Sequence, residues 1–180
     1  MSSDQWHPRL AREDDIPVLE KLIEDSVRQL LPEHYSAEVL EASLGPTFGV
    51  DTQLIRDGTY FVIEHEGIIV ACGGWSRRET LYGWDRHRSH EQPLLDPAHD
   101  SARIRAFFVH PAWARRGLGR AMLAASEAAA RAAGFKRVIL VGTLAGEKLY
   151  AAHGYVVEDR FDAPLREGLV LPVVRMGKAL

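Results

Sequence analysis

Apolar residues recur at two different periods along the chain, and each period predicts a different element. The first helix is predicted over residues 15–31, from apolar residues at helical spacing: Ile16, Leu19, Ile23, Val27 and Leu30. Pro32 ends this helix. Three further helices are predicted from the same period and from their caps, over residues 36–44, 118–133 and 147–153.

Segments rich in β-branched and aromatic residues predict about seven strands. They are residues 6–11, 59–64, 68–74, 102–109, 137–142, 155–161 and 169–176. The second and third form a hairpin, whereas strands 102–109 and 137–142 are joined by a helix and therefore run parallel. These elements predict a single α/β domain over residues 1–180, with a mixed, twisted sheet and helices on both faces. The polar segment 77–101 is predicted to be a long loop.

The composition excludes several classes of protein. Cys72 is the only cysteine, so neither an intrachain disulfide nor a zinc site with several cysteines can form. No apolar run reaches the roughly 20 residues of a membrane span, and the N-terminus lacks the apolar stretch of a signal peptide. The net charge of −3 argues against a nucleic-acid partner. We therefore expect a cytoplasmic protein with no membrane or nucleic-acid partner.

Charge is distributed unevenly between the two halves of the chain. Residues 1–100 hold 9 Lys and Arg against 19 Asp and Glu, whereas residues 101–180 hold 13 against 6. The basic second half favours an anionic ligand and the acidic first half a cationic one. The same difference is typical of solvated helix faces that differ only in composition, so both interpretations stay open.

The strongest chemical signal lies between a predicted strand and a predicted helix, in the segment Arg115-Arg116-Gly117-Leu118-Gly119-Arg120. Unpaired N–H groups at a helix N-terminus attract anions, and glycine lets a ligand approach the backbone closely. With three arginines around the turn, the segment is typical of a phosphate or pyrophosphate site. It matches neither a Walker A loop nor the Rossmann fingerprint. The alternative is a basic turn whose glycines serve only packing.

Three segments resemble motifs of the GCN5-related N-acetyltransferase (GNAT) family. Residues 104–119, IRAFFVHPAWARRGLG, resemble its central motif: an apolar strand, Val-x-Pro, then Arg/Gln-x-x-Gly-x-Gly/Ala at the start of a helix. Residues 147–155, EKLYAAHGY, resemble its later motif, and VVRMGKAL resembles its closing strand. Ala114 stands at the Arg/Gln position, so a side-chain contact to phosphate must come from Arg115, Arg116 or Arg120.

The resemblance implies the acyl-CoA N-acyltransferase fold, with acetyl-CoA as co-substrate. In this family acetyl-CoA lies in a V-shaped gap where two adjacent parallel strands part, here 102–109 and 137–142, beside a bulge in the first. The pantetheine arm pairs with one strand edge, and the turn before the helix holds the pyrophosphate. The implied cofactor-binding residues are Phe107, Phe108, Val109, Arg115, Arg116, Gly117, Leu118, Gly119 and Arg120.

The resemblance also implies a catalytic acid, Tyr150, which matches the family's tyrosine that donates to the CoA sulfur. A tyrosine hydroxyl is protonated at pH 7 without any adjustment, although a tyrosine that merely packs in the helix is the alternative. The general base stays open, with Glu64 and His110 as candidates. Cys72 is interpreted as a core residue. No metal is expected, because the histidines of the long loop lack fixed partners: His87, His90 and His99.

The acceptor is expected to be a primary amine of a small molecule, acetylated by direct attack in a ternary complex. The long loop could border its pocket together with Trp75, Arg77 and the first two helices. The acidic first half favours a cationic amine, such as a polyamine or amino sugar, whereas Arg77 and Arg78 favour an amine that carries a carboxylate; both stay open.

Other functions and an assembly also stay open. The first is a CoA-binding sensor or partner module without turnover, and the second is acetylation of a protein lysine or N-terminus. A homodimer through the terminal strands is an expectation from the habits of the family alone.

Overall fold

The fold is built on one seven-stranded sheet, and this computed structural model describes residues 6–82 and 92–180. Its strands, β1 to β7 in chain order, are Arg9–Leu10, Tyr60–His65, Ile68–Ser76, Ala102–Val109, Arg137–Thr143, Val156–Pro164 and Val170–Ala179. The α-helices of the described residues, α1 to α5, are Ile16–Leu30, Ala37–Ser43, Thr52–Arg56, Leu118–Ala132 and Glu147–Ala152.

The strands follow the order β1-β2-β3-β4-β5-β7-β6 across the sheet. Every neighbouring pair is antiparallel except β4 and β5, which run parallel and are connected through α4. A parallel pair requires such a crossover, because the chain must return to the end of the sheet from which it started. The predicted mixed α/β sheet is confirmed.

Separate apolar cores cover the two faces of the sheet. On one face, Leu19 and Ile23 of α1 pack with Val62 of β2, and residues of α2 and α3 join the same cluster. On the other face, Leu123 of α4 packs with Ile104 of β4. Burial of apolar surface on both faces is the main favourable term for this fold, and it leaves the helices on both faces, as predicted.

The prediction was wrong in two places. Only Arg9–Leu10 of the predicted strand 6–11 pairs with β2, whereas Trp6 packs beside Leu118 of α4. Helix α3 was not predicted, because its five residues are too few for a helical period to be visible. The other predicted elements are present, with their ends displaced by at most three residues.

Tyr35, in the turn between α1 and α2, ties this turn to the distant C-terminal half of the sheet. Its hydroxyl donates to the carbonyl oxygen of Pro172 at 2.7 Å and accepts from the amide of Leu144 at 2.9 Å. Pro172 lies on β7 and Leu144 directly follows β5. The hydroxyl therefore fixes the end of β5 from which the chain continues into α5.

Candidate active site

β4 and β5 are paired only at their first residues, Ala102 with Val138 and Arg103 with Ile139. Each strand keeps its other neighbour, since β3 pairs with β4 as far as Val109 and β7 pairs with β5 as far as Thr143. The remaining lengths of the two strands part, and a cleft opens between them. The gap that the resemblance implied between these strands is present.

Side chains from four parts of the fold line the cleft. They belong to the parting strands (residues 104–108 and 140–143), to β7 (Leu171 and Val173), to α5 (Tyr150), and to two loops (Thr47, Phe48, Gly49, Leu81 and Tyr82). Phe107 and Phe108, predicted cofactor-binding residues, are among them. Val109, the last residue of β4, is not among them.

A β-bulge bends β4 beside the cleft. Arg105 lies opposite Gly74 and Phe108 lies opposite Cys72, so one extra residue is accommodated in β4. Ala106 takes a φ of +56°, a left-handed conformation that costs free energy for any residue with a side chain. The bulge that the resemblance implied is therefore present in the first of the parting strands.

Two contacts from neighbouring strands hold this bulge. The hydroxyl of Tyr60, on β2, donates to the carbonyl oxygen of Ala106 at 3.0 Å. The ring of Phe107 lies where a side chain at Gly73 would be, so that a Cβ on this glycine would overlap the ring. The strained conformation is thus stabilised by a partly buried hydrogen bond and by close packing.

The turn before α4 presents free backbone amides, as the sequence predicted. Gly117 caps the helix at a φ of +85°, and Arg115 has a φ of +64°. Among the described residues, none accepts a hydrogen bond from the amides of residues 117–120. Nothing lies within 4 Å of a Cβ built on Gly117. The first turn of α4 therefore has unpaired donors with open space beside them, which is the chemistry of an anion site.

The side chains of this turn have different environments. Arg115, Arg116 and Arg120 are exposed. Leu118, however, is buried in the core, so its contribution to a ligand is limited to its backbone. Gly119 packs against Leu149, and a Cβ would come within 2.7 Å of that side chain. Gly117 thus leaves the surface beside the turn open, whereas Gly119 allows α4 to pack closely against α5.

An aromatic cluster that the sequence did not predict supports this turn. The indole N–H of Trp6 donates to the carbonyl oxygen of Arg116 at 2.9 Å. The Arg116 guanidinium lies 4.7 Å from the centre of the Trp113 ring, and the ring of His65 lies 5.6 Å from Trp6 and 4.7 Å from Trp113. No local pattern could reveal Trp6, because 110 positions separate it from Arg116.

Tyr150 lies on α5 with its ring against two glycines of the cleft wall. A Cβ at Gly142 or Gly146 would come within 2.9 Å of the ring. Burial raises the pKa of the Tyr150 hydroxyl to about 12, and no described residue forms a hydrogen bond with it. A protonated hydroxyl at the cleft, without an internal partner, is able to donate a proton to a ligand.

The candidate bases lie away from the cleft. Glu64 is paired with Arg9 at 2.9 Å, and the His110 ring nitrogen accepts from the amide of Ala112 at 3.2 Å. Neither residue lines the cleft. Cys72 is fully buried, and burial raises the pKa of its thiol to about 12, so it is a core residue, as interpreted from the sequence, and not a nucleophile.

The residues expected at the acceptor pocket are only partly there. Trp75 packs against Phe135 on the face covered by α4, and Arg77 lies 5.4 Å from the centre of the Trp75 ring. Arg78 forms a two-point ion pair with Asp57, at 2.7 and 2.8 Å. None of these lines the cleft. The long loop contributes Leu81 and Tyr82 instead.

The loop histidines give no sign of a metal site within the described residues. His99 is exposed and paired with Asp96 at 2.8 Å, and His87 and His90 lie outside those residues. Groups of three or more metal-ligating side chains are absent from residues 6–82 and 92–180. Within the same ranges, no helix is both long and apolar enough to cross a bilayer.

Comparison with known protein families identifies the family of this chain. The sequence profile described as "Acetyltransferase (GNAT) family" matches residues 21–155, well over half of the chain. The chain belongs to the GNAT acetyltransferase family. No sequence among curated proteins matches it significantly. The matched range includes the parting strands, the turn before α4 and Tyr150, and it confirms the family that the motifs resembled.

Solved structures of other GNAT proteins have the same fold. A GCN5-related N-acetyltransferase from Rhodopseudomonas palustris has a TM-score of 0.74 at 22% identity, over 100% of this chain and 99% of the other. PaiA N-acetyltransferase from Thermoplasma acidophilum, in complex with coenzyme A, has a TM-score of 0.68 at 13% identity, over 100% of both chains. A phosphinothricin acetyltransferase from Sinorhizobium meliloti, in complex with acetyl-CoA, has a TM-score of 0.64 at 18% identity, over 97% of this chain and 88% of the other.

Family membership confirms three expectations from the sequence. This GNAT chain has the predicted fold class, it is an N-acetyltransferase, and the acetyl donor of its family is acetyl-CoA. The acceptor does not follow from the family, so it must be argued from the cleft.

Proposed function

We propose that the chain transfers an acetyl group from acetyl-CoA to a primary amine of a small molecule, by direct attack in a ternary complex. The observation that carries the proposal is the cleft between β4 and β5, because it brings the bulged strand and the free hydroxyl of Tyr150 to one opening. The buried, protonated thiol of Cys72 favours direct attack over a route through a cysteine.

The residues present fit acetyl-CoA, which supplies an activated acetyl thioester. The amides of residues 117–120, with the side chains of Arg115 and Arg120, would hold the pyrophosphate. Arg116 would act mainly through its backbone, since its guanidinium already stacks on Trp113. The backbone of Phe107, Phe108 and Val109 lies on the stretch of β4 that has lost β5 as a partner, so it would pair with the pantetheine arm as an added strand does.

Tyr150 would supply the proton that the departing sulfur needs. The new C–N bond forms between the amine nitrogen and the acetyl carbon, the C–S bond breaks, and the Tyr150 hydroxyl protonates the thiolate. The amine proton leaves to solvent, from which Tyr150 is reprotonated. Because an ammonium group has no lone pair, the amine must enter in its neutral form.

The lining of the cleft favours an amine whose skeleton carries no second charge. Phe48, Leu171 and Val173 contribute carbon surface, and polar atoms contribute a similar area to the exposed lining. Of the described residues that line the cleft, only Arg105 is charged, and its guanidinium is bound to Asp51. The described lining thus offers neither carboxylates for a polyamine nor a cation available for a carboxylate.

Turnover tests the proposal directly. Thiol release from acetyl-CoA is measured with purified protein and a panel of arylalkyl amines, polyamines, amino sugars, amino acids and peptides. We expect the highest kcat/KM for small amines that carry no second charge. Binding of CoA without turnover on any amine would indicate a sensor, and turnover on peptides alone would indicate a protein acetyltransferase; both contradict the proposal.

Reversing the charges beside the turn should weaken binding of the donor. The double variant R115E/R120E should raise the Kd for CoA in calorimetry by about 10-fold or more, because each charge-assisted hydrogen bond contributes on the order of 1.5–3 kcal/mol. The control is R131E, at the other end of α4, which should leave the Kd unchanged. Equal Kd values for the double variant and the unaltered protein would place the pyrophosphate elsewhere.

Removing the hydroxyl of Tyr150 should slow the reaction while CoA still binds. Y150F keeps the ring against Gly142 and Gly146, and should lower kcat at neutral pH by about 10²-fold or more. The matched control is Y155F, because the ring of Tyr155 lies 5.8 Å from that of Tyr150 but its hydroxyl donates to Glu127. A similar kcat in Y150F and the unaltered protein would remove Tyr150 from the mechanism.

The pH profile should show the high pKa of Tyr150. The kcat/KM for the amine should rise with pH as the amine loses its proton, and then reach a plateau. No decline is expected up to about pH 10, since the Tyr150 hydroxyl, with its pKa raised to about 12, stays protonated there. A decline between about pH 8 and 10 that disappears in Y150F would contradict this assignment.

A further inference from the structure

We propose that Arg105 is a positioning residue, whose ion pair with Asp51 holds the bulged strand β4 and the acceptor-side loops in one arrangement. The inference rests on the proposed function, because it concerns how the amine is brought to the acetyl group. It adds a residue that no motif of the sequence singled out.

The ion pair is almost completely removed from solvent. The side chains of Arg105 and Asp51 are 4% and 2% exposed, and a guanidinium nitrogen lies 2.7 Å from a carboxylate oxygen. A second guanidinium nitrogen donates to the carbonyl oxygen of Thr80 at 3.0 Å. One buried cation therefore joins three separate segments of the chain.

Each of these segments contributes to the cleft. Arg105 itself lines the cleft and directly precedes Ala106, the strained residue of the bulge. Asp51 directly precedes α3, at the end of the loop that carries Thr47 to Gly49, and Thr80 precedes Leu81 and Tyr82. The guanidinium thus connects the strand that would face the thioester to both loops that would face the amine.

Stability alone does not account for such a pair. Removing two charges from water costs several kcal/mol per ion, and apolar residues of similar volume often stabilise a core as well or better. An ion pair adds a fixed geometry, since the planar guanidinium of an arginine donates hydrogen bonds in only a few directions. Positioning of β4 relative to the loops is a use that requires this geometry.

Helix α3 provides an internal comparison, because it has an Arg–Asp pair at each end. Asp51 at its start binds Arg105 of β4, whereas Asp57 at its end binds Arg78 of the loop after β3. Both pairs have a closest distance of 2.7 Å, and the side chains of the second are 13% and 9% exposed. Only the first pair includes a residue of the bulged strand.

The test compares D51N and R105K with D57N. Both Asp→Asn variants keep the size of the side chain and remove one charge from an Arg–Asp pair. For every variant, kcat, the KM for the best amine, the Kd for CoA and the thermal unfolding midpoint are measured. The calorimetric Kd also shows that each variant is folded, so that a loss of kcat is distinguished from a loss of structure.

For D51N and R105K we expect kcat to fall about 10- to 100-fold, since a misplacement of about 1 Å costs on that order. The KM for the amine should rise by a larger factor than the Kd for CoA, because the turn before α4, which would hold the pyrophosphate, is not part of this network. D57N should lose a comparable amount of thermal stability and keep its kcat.

Three results would overturn the inference. They are an unchanged kcat in D51N, an equal loss of kcat in D57N, and a parallel loss of CoA affinity, which would indicate collapse of the whole cleft. If the unaltered protein itself shows no turnover, the proposed function fails and this inference fails with it. Turnover in the unaltered protein with unaffected variants refutes the positioning role alone.

Discussion

Two parallel strands that stop pairing after two residues determine the rest of this site. Backbone N–H and C=O groups inside a sheet need hydrogen-bond partners. Beyond their first two paired residues, β4 and β5 form no hydrogen bonds with each other, although each stays paired with its other neighbour. The separation exposes a strand edge within the sheet, along one wall of the cleft. An extended ligand is the natural partner for such an edge, and on the proposed function this ligand is the pantetheine arm of acetyl-CoA.

One of the two parting strands contains a strained residue, and its neighbours hold it in place. Ala106 is held in a left-handed conformation by the hydroxyl of Tyr60, by the ring of Phe107 over Gly73 and, on our proposal, by the Arg105–Asp51 pair. Strained residues persist only where their environment over-determines them, and they concentrate at functional sites. The bulge therefore links the core of the fold to the chemistry of the cleft.

Helices and strands that are long enough to show a regular spacing of apolar residues could be predicted from the sequence, and so could the local motifs. Contacts between residues far apart in the chain could not. The strand over residues 102–109 and the start of α4 at Leu118 agree with their prediction, because apolar pattern and glycine both mark them. Trp6 beneath Arg116 and Asp51 beside Arg105 come from segments far apart in the chain, and no local pattern encodes such a pairing. Part of the acidic excess of the first half lies inside the fold, where Asp51 pairs with Arg105 and Asp57 pairs with Arg78.

Hydrogen exchange of individual backbone amides, with and without CoA, tests the central claim most directly. If the cleft between β4 and β5 binds the donor, CoA should slow exchange at two separate places, residues 117–120 and residues 107–109. The amides of β6, at the far edge of the sheet, should keep their rates and serve as the internal reference. Protection at neither place, or protection confined to another surface, would contradict the account.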